Sequence, residues 1–409
     1  MRFPRFIFAA VAAGFVAAAA AQAPIPQPNA PVAAPTPNVP TPPAPVPVGA
    51  KAWLLMDYDT GQILAGENYD QRMEPASITK VMTSYVAAAE VKAGKIKPDD
   101  MVTISERAWR EGGAGTDGSF SGFELNSRVK LSEVEKGMSV QSGNDAAIAI
   151  AEHVAGSEEA FASLMNSYAA RIGMSNSHFV NSHGLSTEGH YSSAHDLALL
   201  GRAMIRDFPE TYAYNSIKEL TVGSITQHNR NNLLWREGSG IDGIKTGHTD
   251  NAGFCLLASA KRGEQRFISI VMGIQSKSQS EGFRLRETGN LNLLEWGFRF
   301  FEAHTLYAAG AKVATHKVWK GSIDTVTLGL TEPLTLSVPR GRYGDLKPAM
   351  DVPKTLIAPI KKGQVIGKLR VALDGKVIAE RPLIAEADVP EGGFFSRLWD
   401  EFMMWWDSE

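Results

Sequence analysis

A lysine in the first turn of an apolar helix restricts this chain more than any other feature. The run Ile78, Val81, Met82, Tyr85, Val86, Ala89 recurs at helical spacing and predicts a helix that is buried or nearly so. Such a helix has little use for a charge, yet Lys80 stands at its start. Ser77 lies three residues earlier, so both side chains project from one face. Pro75 suits the position just ahead, because its fixed φ fits a helix start and its missing N–H is no loss there. The arrangement has a chemical purpose if the serine is a nucleophile. A hydroxyl is a poor nucleophile unless a neighbouring base takes its proton. A desolvated lysine can be that base, because burial penalises the ammonium form. The helix N-terminus would also offer backbone N–H groups to a developing oxyanion. Ser-x-x-Lys alone is a weak pattern, with roughly one or two chance matches expected in a chain this long. Ser127-Arg128-Val129-Lys130 is such a match, in a polar stretch that reads as an exposed loop.

The chain has 409 residues, enough for two domains plus tails. Its net charge of −3 gives no basic surface for nucleic acid. The single cysteine, Cys255, has no intrachain partner and lies in the run Phe254-Cys255-Leu256-Leu257, as a small buried hydrophobe does. The nine histidines form no His-Glu-x-x-His pattern, so neither a metal nor a cofactor is expected.

Residues 1–23 read as a secretory signal peptide: Arg2 and Arg5, an Ala/Val/Phe run, then Ala21-Gln22-Ala23. Residues 24–49 are nearly all Pro, Ala, Val, Asn and Thr, the composition of an extended spacer without a core. A domain is expected over 50–304. It opens with a hairpin, Ala52–Met56 and Gln62–Ala65 across the turn Asp59-Thr60-Gly61. The Ser77 helix follows and ends near Gly94. Ser132-Glu133-Val134-Glu135 carries a capping-box pattern for the next helix, which breaks at Gly143. Asp145 is expected to cap a third helix, and Ser157 to Ile172 gives a fourth, closed by Gly173. Helical patterning returns from Ser193 to Arg206. Two strand-like runs, Gly253–Ala260 and Phe267–Met272, precede an amphipathic helix from Leu291 to Phe301. The order predicts an α+β domain whose antiparallel sheet joins its first and last segments. From Thr305 the chain alternates and turns at Asp374-Gly375, which predicts a small all-β domain over 305–390.

Three short motifs fall in the first of these domains in a fixed order: Ser77-Ile78-Thr79-Lys80, Ser142-Gly143-Asn144 and Lys245-Thr246-Gly247. With Asp at the second position of the middle motif, this set marks penicillin-binding proteins and class A β-lactamases. The longer strings Pro75–Lys80, Asp242–Thr249 and Trp296–Phe301 narrow the match. The chain resembles the low-molecular-mass D-alanyl-D-alanine carboxypeptidases of peptidase family S11, from about residue 50 onward. The resemblance implies a penicillin-binding, β-lactamase-like transpeptidase fold with a helical block. It implies Ser77 as nucleophile on the bond between two terminal D-alanines, with Lys80 as proton acceptor. Ser142 would relay the proton to the leaving amine, and Asn144 would bind the substrate amide and position Lys80. Lys245, Thr246 and Gly247 would line the strand that carries substrate. The N–H groups of Ser77 and His248 would form the oxyanion hole. Arg230 and Arg286 match positions that order the site and recognise the terminal carboxylate. His183 matches a position that affects deacylation, and reads equally as a turn histidine. Asp207 reads as structural. An anionic C-terminus in a partly desolvated cleft wants cations on independent grounds, and Lys245 near Lys80 would also depress the Lys80 pKa.

The implied substrate is the peptidoglycan pentapeptide, with β-lactams as acylating inhibitors. A DD-endopeptidase differs only in the bond cut. A serine β-lactamase would need a Glu-x-x-x-Asn loop, where Ser177-His178-Phe179-Val180-Asn181 holds no glutamate. A non-catalytic cell-wall-binding protein would not need the intact nucleophilic set. The tail, 391–409, places Phe394, Phe395, Leu398, Trp399, Phe402, Trp405 and Trp406 on one helical face. It is too short and too charged to span a bilayer, so an interfacial helix on the outer face of the cytoplasmic membrane is expected, peripheral and periplasmic. A helix docked on the β domain, or a dimer contact, is the alternative.

Overall fold

The computed structural model describes residues 41–114 and 118–406. The expected signal peptide, most of the Pro-rich spacer and the last three residues of the tail lie outside them. The chain divides into two units, residues 41–304 with Thr335–Gly344, and Thr305–Leu334 with Asp345–Glu409.

In the first unit, β1 (Ala52–Asp57), β2 (Ile63–Glu67), β3 (Ile241–Thr249), β4 (Gly253–Arg262) and β5 (Gln265–Ile274) form one antiparallel sheet in the order β2-β1-β5-β4-β3. β1 lies against β5, Ala52 opposite Met272, so the first and last segments are joined as the element order predicted. Side chains alternate across a strand, and here both faces are buried. Leu54, Met56, Ile268, Ile270 and Met272 face a helical core, while Trp53, Leu55, Phe267 and Val271 face a second core. The helical block comprises α1 (Thr79–Lys92), α2 (Leu131–Val140), α3 (Asn144–Ala155), α4 (Glu158–Ile172) and α5 (Ala194–Asp207). The opposite face is covered by α6 (Gln279–Phe300), through Leu293, Leu294 and Trp296.

Three local expectations are corrected. α6 starts twelve residues before Leu291, capped by Ser278. Its early buried positions are Gly282, Arg286, Gly289 and Asn290, so the apolar period that marks a buried helix is missing there. α2 starts at Leu131 with no side-chain cap, and Glu133 pairs with Lys136 instead of completing a box. α3 starts at Asn144, and Asp145 accepts the Ser121 N–H at 2.9 Å rather than capping. The end of the Pro-rich stretch also has a place in the fold. Pro47 is buried beside Gly289, and Trp296 Nε1 donates to Pro42 O at 3.1 Å.

In the second unit, β6 (Lys312–Trp319), β7 (Thr325–Gly329), β8 (Lys347–Asp351), β9 (Leu356–Ile357), β10 (Val365–Leu373) and β11 (Lys376–Ala385) form a sheet in the order β8-β10-β11-β7-β6-β9. The β10–β11 hairpin turns on Asp374-Gly375, with φ of +51° and +78°, the left-handed pair a tight hairpin requires. The chain continues into α7 (Phe394–Trp406).

Candidate active site

Pro75 leads into a single 3-10 turn, Ala76–Ile78, and α1 follows directly. This turn leaves Ser77 half-buried on a cleft wall and sends Lys80 inward, where it is 1% exposed. Lys80 Nζ donates to Ser77 Oγ at 3.0 Å, Asn144 Oδ1 at 2.7 Å and His183 O at 2.6 Å. An ammonium has three N–H bonds, so the charged form is saturated. In the neutral amine, a lone pair can take the place of the N–H that faces Ser77 Oγ. The other two bonds still hold the nitrogen in position.

The backbone is strained at two points of the site. Ala76, next to Ser77, has φ +49°, and Ser142 has φ +66°. Neither residue is one that favours the left-handed region, and such strain tends to gather where function demands it. Two glycines allow the close approach of other segments. A Cβ on Gly184 would lie 1.9 Å from Ala76 O, and one on Gly247 would lie 3.0 Å from Pro75 O. The loop at 184 and the strand β3 thus press on the nucleophile turn from two directions. β3 is the last strand of its sheet and pairs with β4 alone among the described residues, which leaves its other edge open.

Ser77, Ser142, Asn144, Arg230, Thr246, Gly247, His248 and Arg286 all line one cleft of about 410 Å³. Lys80 and Lys245 lie behind it and border a void of about 10 Å³ with Ser84, Ser139 and Asn215. Every residue nominated from the sequence therefore lies at one place. Ser142 Oγ is buried with no hydrogen-bond partner among the described residues. Arg286 is 3% exposed. Its guanidinium donates to Gly247 O at 3.3 Å and Arg230 O at 3.5 Å. His248 is exposed, and its ring stacks on Phe254 with centroids 4.0 Å apart. The second Ser-x-x-Lys match is inert: Ser127 Oγ donates to Glu124 O, and Lys130 pairs with Asp99 on a short surface strand. Asp207 accepts from Tyr85 and pairs with Arg206, a structural role.

Charge in the site is one-sided. No carboxylate lines the cleft among the described residues. Burial, with Arg230 acting in the same direction, lowers the Lys80 pKa to about 7. Burial also holds Lys245 well below the usual lysine range, helped by Lys80, Arg230 and Arg286. The repulsion between Lys80 and Lys245 acts against both being charged at once. Arg286 is lowered to about 10 by burial. Arg230 and Arg286 line the cleft with no acidic residue in the lining, and Lys245 lies just behind it, so the cleft makes a receptor for an anion. A serine, a poised amine and an anion receptor together can perform acyl transfer on a carboxylate-bearing substrate.

Sequence reasoning missed several contributors. The His183 carbonyl is a backbone group and leaves no side-chain signal. Gln279 and Phe283 line the cleft from the part of α6 that lacked an apolar period. Among the described residues, no group of three or more His, Cys, Asp or Glu side chains is placed to hold a metal ion.

The chain is similar to known proteins over most of its length. Residues 38–276 match the peptidase S11 family model, described as D-alanyl-D-alanine carboxypeptidase. Residues 301–391 match the C-terminal domain of penicillin-binding protein 5. The chain is 46% identical over 359 residues to D-alanyl-D-alanine carboxypeptidase DacC of Escherichia coli, covering 87% of this chain and 88% of the relative. DacA of the same organism is 45% identical, over 86% and 87% of the two chains. Penicillin-binding protein 5 from Haemophilus influenzae superposes with a TM-score of 0.77 at 42% identity, over 85% of this chain and 99% of that one.

Proposed function

Because the chain belongs to the peptidase S11 family of D-alanyl-D-alanine carboxypeptidases, we propose that its cleft binds the D-Ala-D-Ala end of a peptidoglycan stem and that Ser77 takes up the acyl group. The family activity is serine DD-carboxypeptidase hydrolysis, and β-lactams acylate the same kind of site. One observation carries the assignment of roles: a single buried amine, Lys80, bonded at once to Ser77, Asn144 and the His183 carbonyl. Ser77 Oγ attacks the carbonyl between the two D-alanines while neutral Lys80 takes its proton. The Ser77 and His248 N–H groups hold the oxyanion. Collapse expels D-alanine, whose amine takes a proton relayed from Lys80 through Ser142. Water then cleaves the ester and restores Ser77. A β-lactam would open its ring in the first step alone.

Lys245, Thr246 and Arg286 receive the terminal carboxylate. An anion beside Lys245 favours its charged form, so substrate arrival opposes the lowering that burial causes. The test is product analysis with a pentapeptide ending in D-Ala-D-Ala. One D-alanine and a tetrapeptide are expected, and a cross-linked dimer should be cut poorly. Amidating the peptide terminus should sharply reduce turnover. Unchanged turnover of the amide would remove carboxylate recognition from the proposal.

The placement is outside the cytoplasm, where the family acts, with residues 1–23 as the export signal and α7 as a membrane-surface anchor. α7 presents Phe394, Phe395, Leu398, Trp399 and Phe402 to solvent, each at least half exposed. Its polar side docks on its own unit. Asp400 accepts the Lys320 N–H at 2.5 Å, Glu401 pairs with Lys320, and Arg397 pairs with Glu391. Asp400 is thereby turned toward protein, while Glu401 stays largely exposed beside the outward-facing aromatics. Among the described residues no helix is long and apolar enough to cross a membrane. Apolar burial at about 1.5–3 kcal/mol per fully buried side chain would supply the affinity. Full-length protein is expected to float with lipid vesicles, with little dependence on salt or anionic lipid. A chain ending at Gly393 should stay in solution with its activity intact. Flotation of the shortened chain, or none of the full-length one, would refute the anchor.

A further inference from the structure

Glu158 stands outside the cleft and has no part in the roles above, yet it is buried and bonded to the loop that holds Lys80. It is the first residue of α4, behind the N-cap Ser157. Its Oε1 accepts from the Ser182 N–H at 2.9 Å and from Ser182 Oγ at 2.6 Å. Its Oε2 accepts from Arg107 Nη2 at 2.8 Å. One residue beyond Ser182, the His183 carbonyl accepts Lys80 Nζ at 2.6 Å. Thr83 Oγ1, one turn along α1 from Lys80, donates to Ser182 O at 2.5 Å. On the other side, Gly184 is seated against Ala76 O with no room for a Cβ. The 182–184 segment is therefore wedged between the turn that carries Ser77 and the Glu158 carboxylate. Remove the carboxylate's grip, and Ser182 N–H and Oγ lose their acceptor together.

We propose that Glu158 is a positioning residue for the catalytic lysine: by fixing Ser182 it holds the His183 carbonyl where it anchors Lys80 Nζ beside Ser77. This rests on Lys80 being the base. The competing account makes Glu158 a structural ion pair that ties α4 to Arg107 on the short helix Glu106–Glu111. Two substitutions of similar size separate these accounts. Glu158→Gln keeps the reach and an oxygen for Ser182, but loses the charge that faces Arg107. Glu158→Asp keeps the charge, but withdraws it by one methylene from Ser182 and from Arg107 alike, so the pH profile and not the rate alone decides. Arg230, Asp145 and Lys245, charged groups around Lys80, are untouched by both. The His183 ring also faces Glu158, with Nε2 3.5 Å from Oε1, and with its pKa lowered to about 3 by burial it stays neutral from pH 5 to 10.

The experiment measures the second-order rate of acylation by a fluorescent penicillin from pH 5 to 10, beside thermal midpoints, on the full chain. Positioning predicts that Glu158→Gln acylates close to the wild-type rate, while Glu158→Asp falls about tenfold or more, as displaced general bases do. A loosened carbonyl no longer favours the ammonium form. The acidic limb of the Glu158→Asp profile should therefore move down by about one pH unit, the worth of a hydrogen bond to a charged group. Glu158→Asp equal to or faster than Glu158→Gln overturns the proposal, as does a slow Glu158→Asp whose acidic limb stays at the wild-type pH. Lys80→Ala is run alongside. If it acylates normally, the reading of Lys80 fails and Glu158 falls with it. If Lys80→Ala is inactive while the two Glu158 variants match wild type, only the Glu158 proposal is lost.

Discussion

Ser77→Ala folds as the parent does and takes no covalent label from penicillin. The substitution removes one small oxygen from a half-buried position, so the stability cost is small. The loss of reactivity is complete, because nothing else in the cleft can stand in. Ser142 also lines it, but Lys80 Nζ reaches Ser77, Asn144 and His183 and no bond to Ser142 is formed. A hydroxyl without an adjacent base stays protonated and inert at neutral pH. Ser127 bonds its own turn, and its lysine is paired on the surface. Intact-protein mass spectrometry after incubation with benzylpenicillin gives the answer. Added mass on the alanine variant, or an adduct mapped to Ser142 or Ser127, would remove Ser77 from the nucleophile position.

The second large effect falls on Lys80. Lys80→Ala should slow acylation by about 10²–10⁴-fold, the typical worth of general-base help. Lys80→Arg should be no better, because a guanidinium stays protonated and cannot accept the serine proton. It must also fit a larger planar group into a fully buried space. The wild-type pH profile follows from the same residue. With a pKa lowered to about 7, Lys80 is protonated and idle below that pH, so the rate should rise through about pH 7 and level off above it. The arginine variant should lose this limb along with the rate. Stability carries the same signature with its sign set by linkage. The unfolded lysine titrates near the ordinary lysine value of 10.5 and the folded one near 7, so the unfolded chain binds more protons between them. The cost of burying Lys80 is therefore full below about pH 7 and fades as pH rises toward 10.5. Substantial acylation by Lys80→Arg at neutral pH would refute the base assignment.

The residues that carry the chemistry were legible because each belongs to a short motif whose type and spacing have a chemical reason. A lysine three residues after a serine on an apolar helix is costly unless used. Gly247 in the third motif is small because β3 must approach Pro75 and Ala76. The supporting residues were not legible. Glu158 reads as an ordinary acid at a helix start, favoured there by the helix dipole alone. Arg286 was nominated by the family resemblance alone, because its neighbours on the buried stripe, Gly282, Gly289 and Asn290, give no apolar period.

By itself the sequence determined the elements whose patterns are local: the strand-like runs, the apolar helix behind Ser77, the Asp374-Gly375 hairpin and the order of three motifs. Periodicity and turn chemistry act over a few residues, so they can be read from a few residues. The tertiary structure alone decided the electrostatics. Lys80 and Lys245 are separated by more than 160 positions in the chain, and the lowering of both depends on how deeply each is buried and on where Arg230 and Arg286 come to rest. It also decided that a backbone carbonyl at His183 would anchor the base. That contact joins positions 103 residues apart and uses an atom every residue possesses, so no pattern in the sequence could mark it.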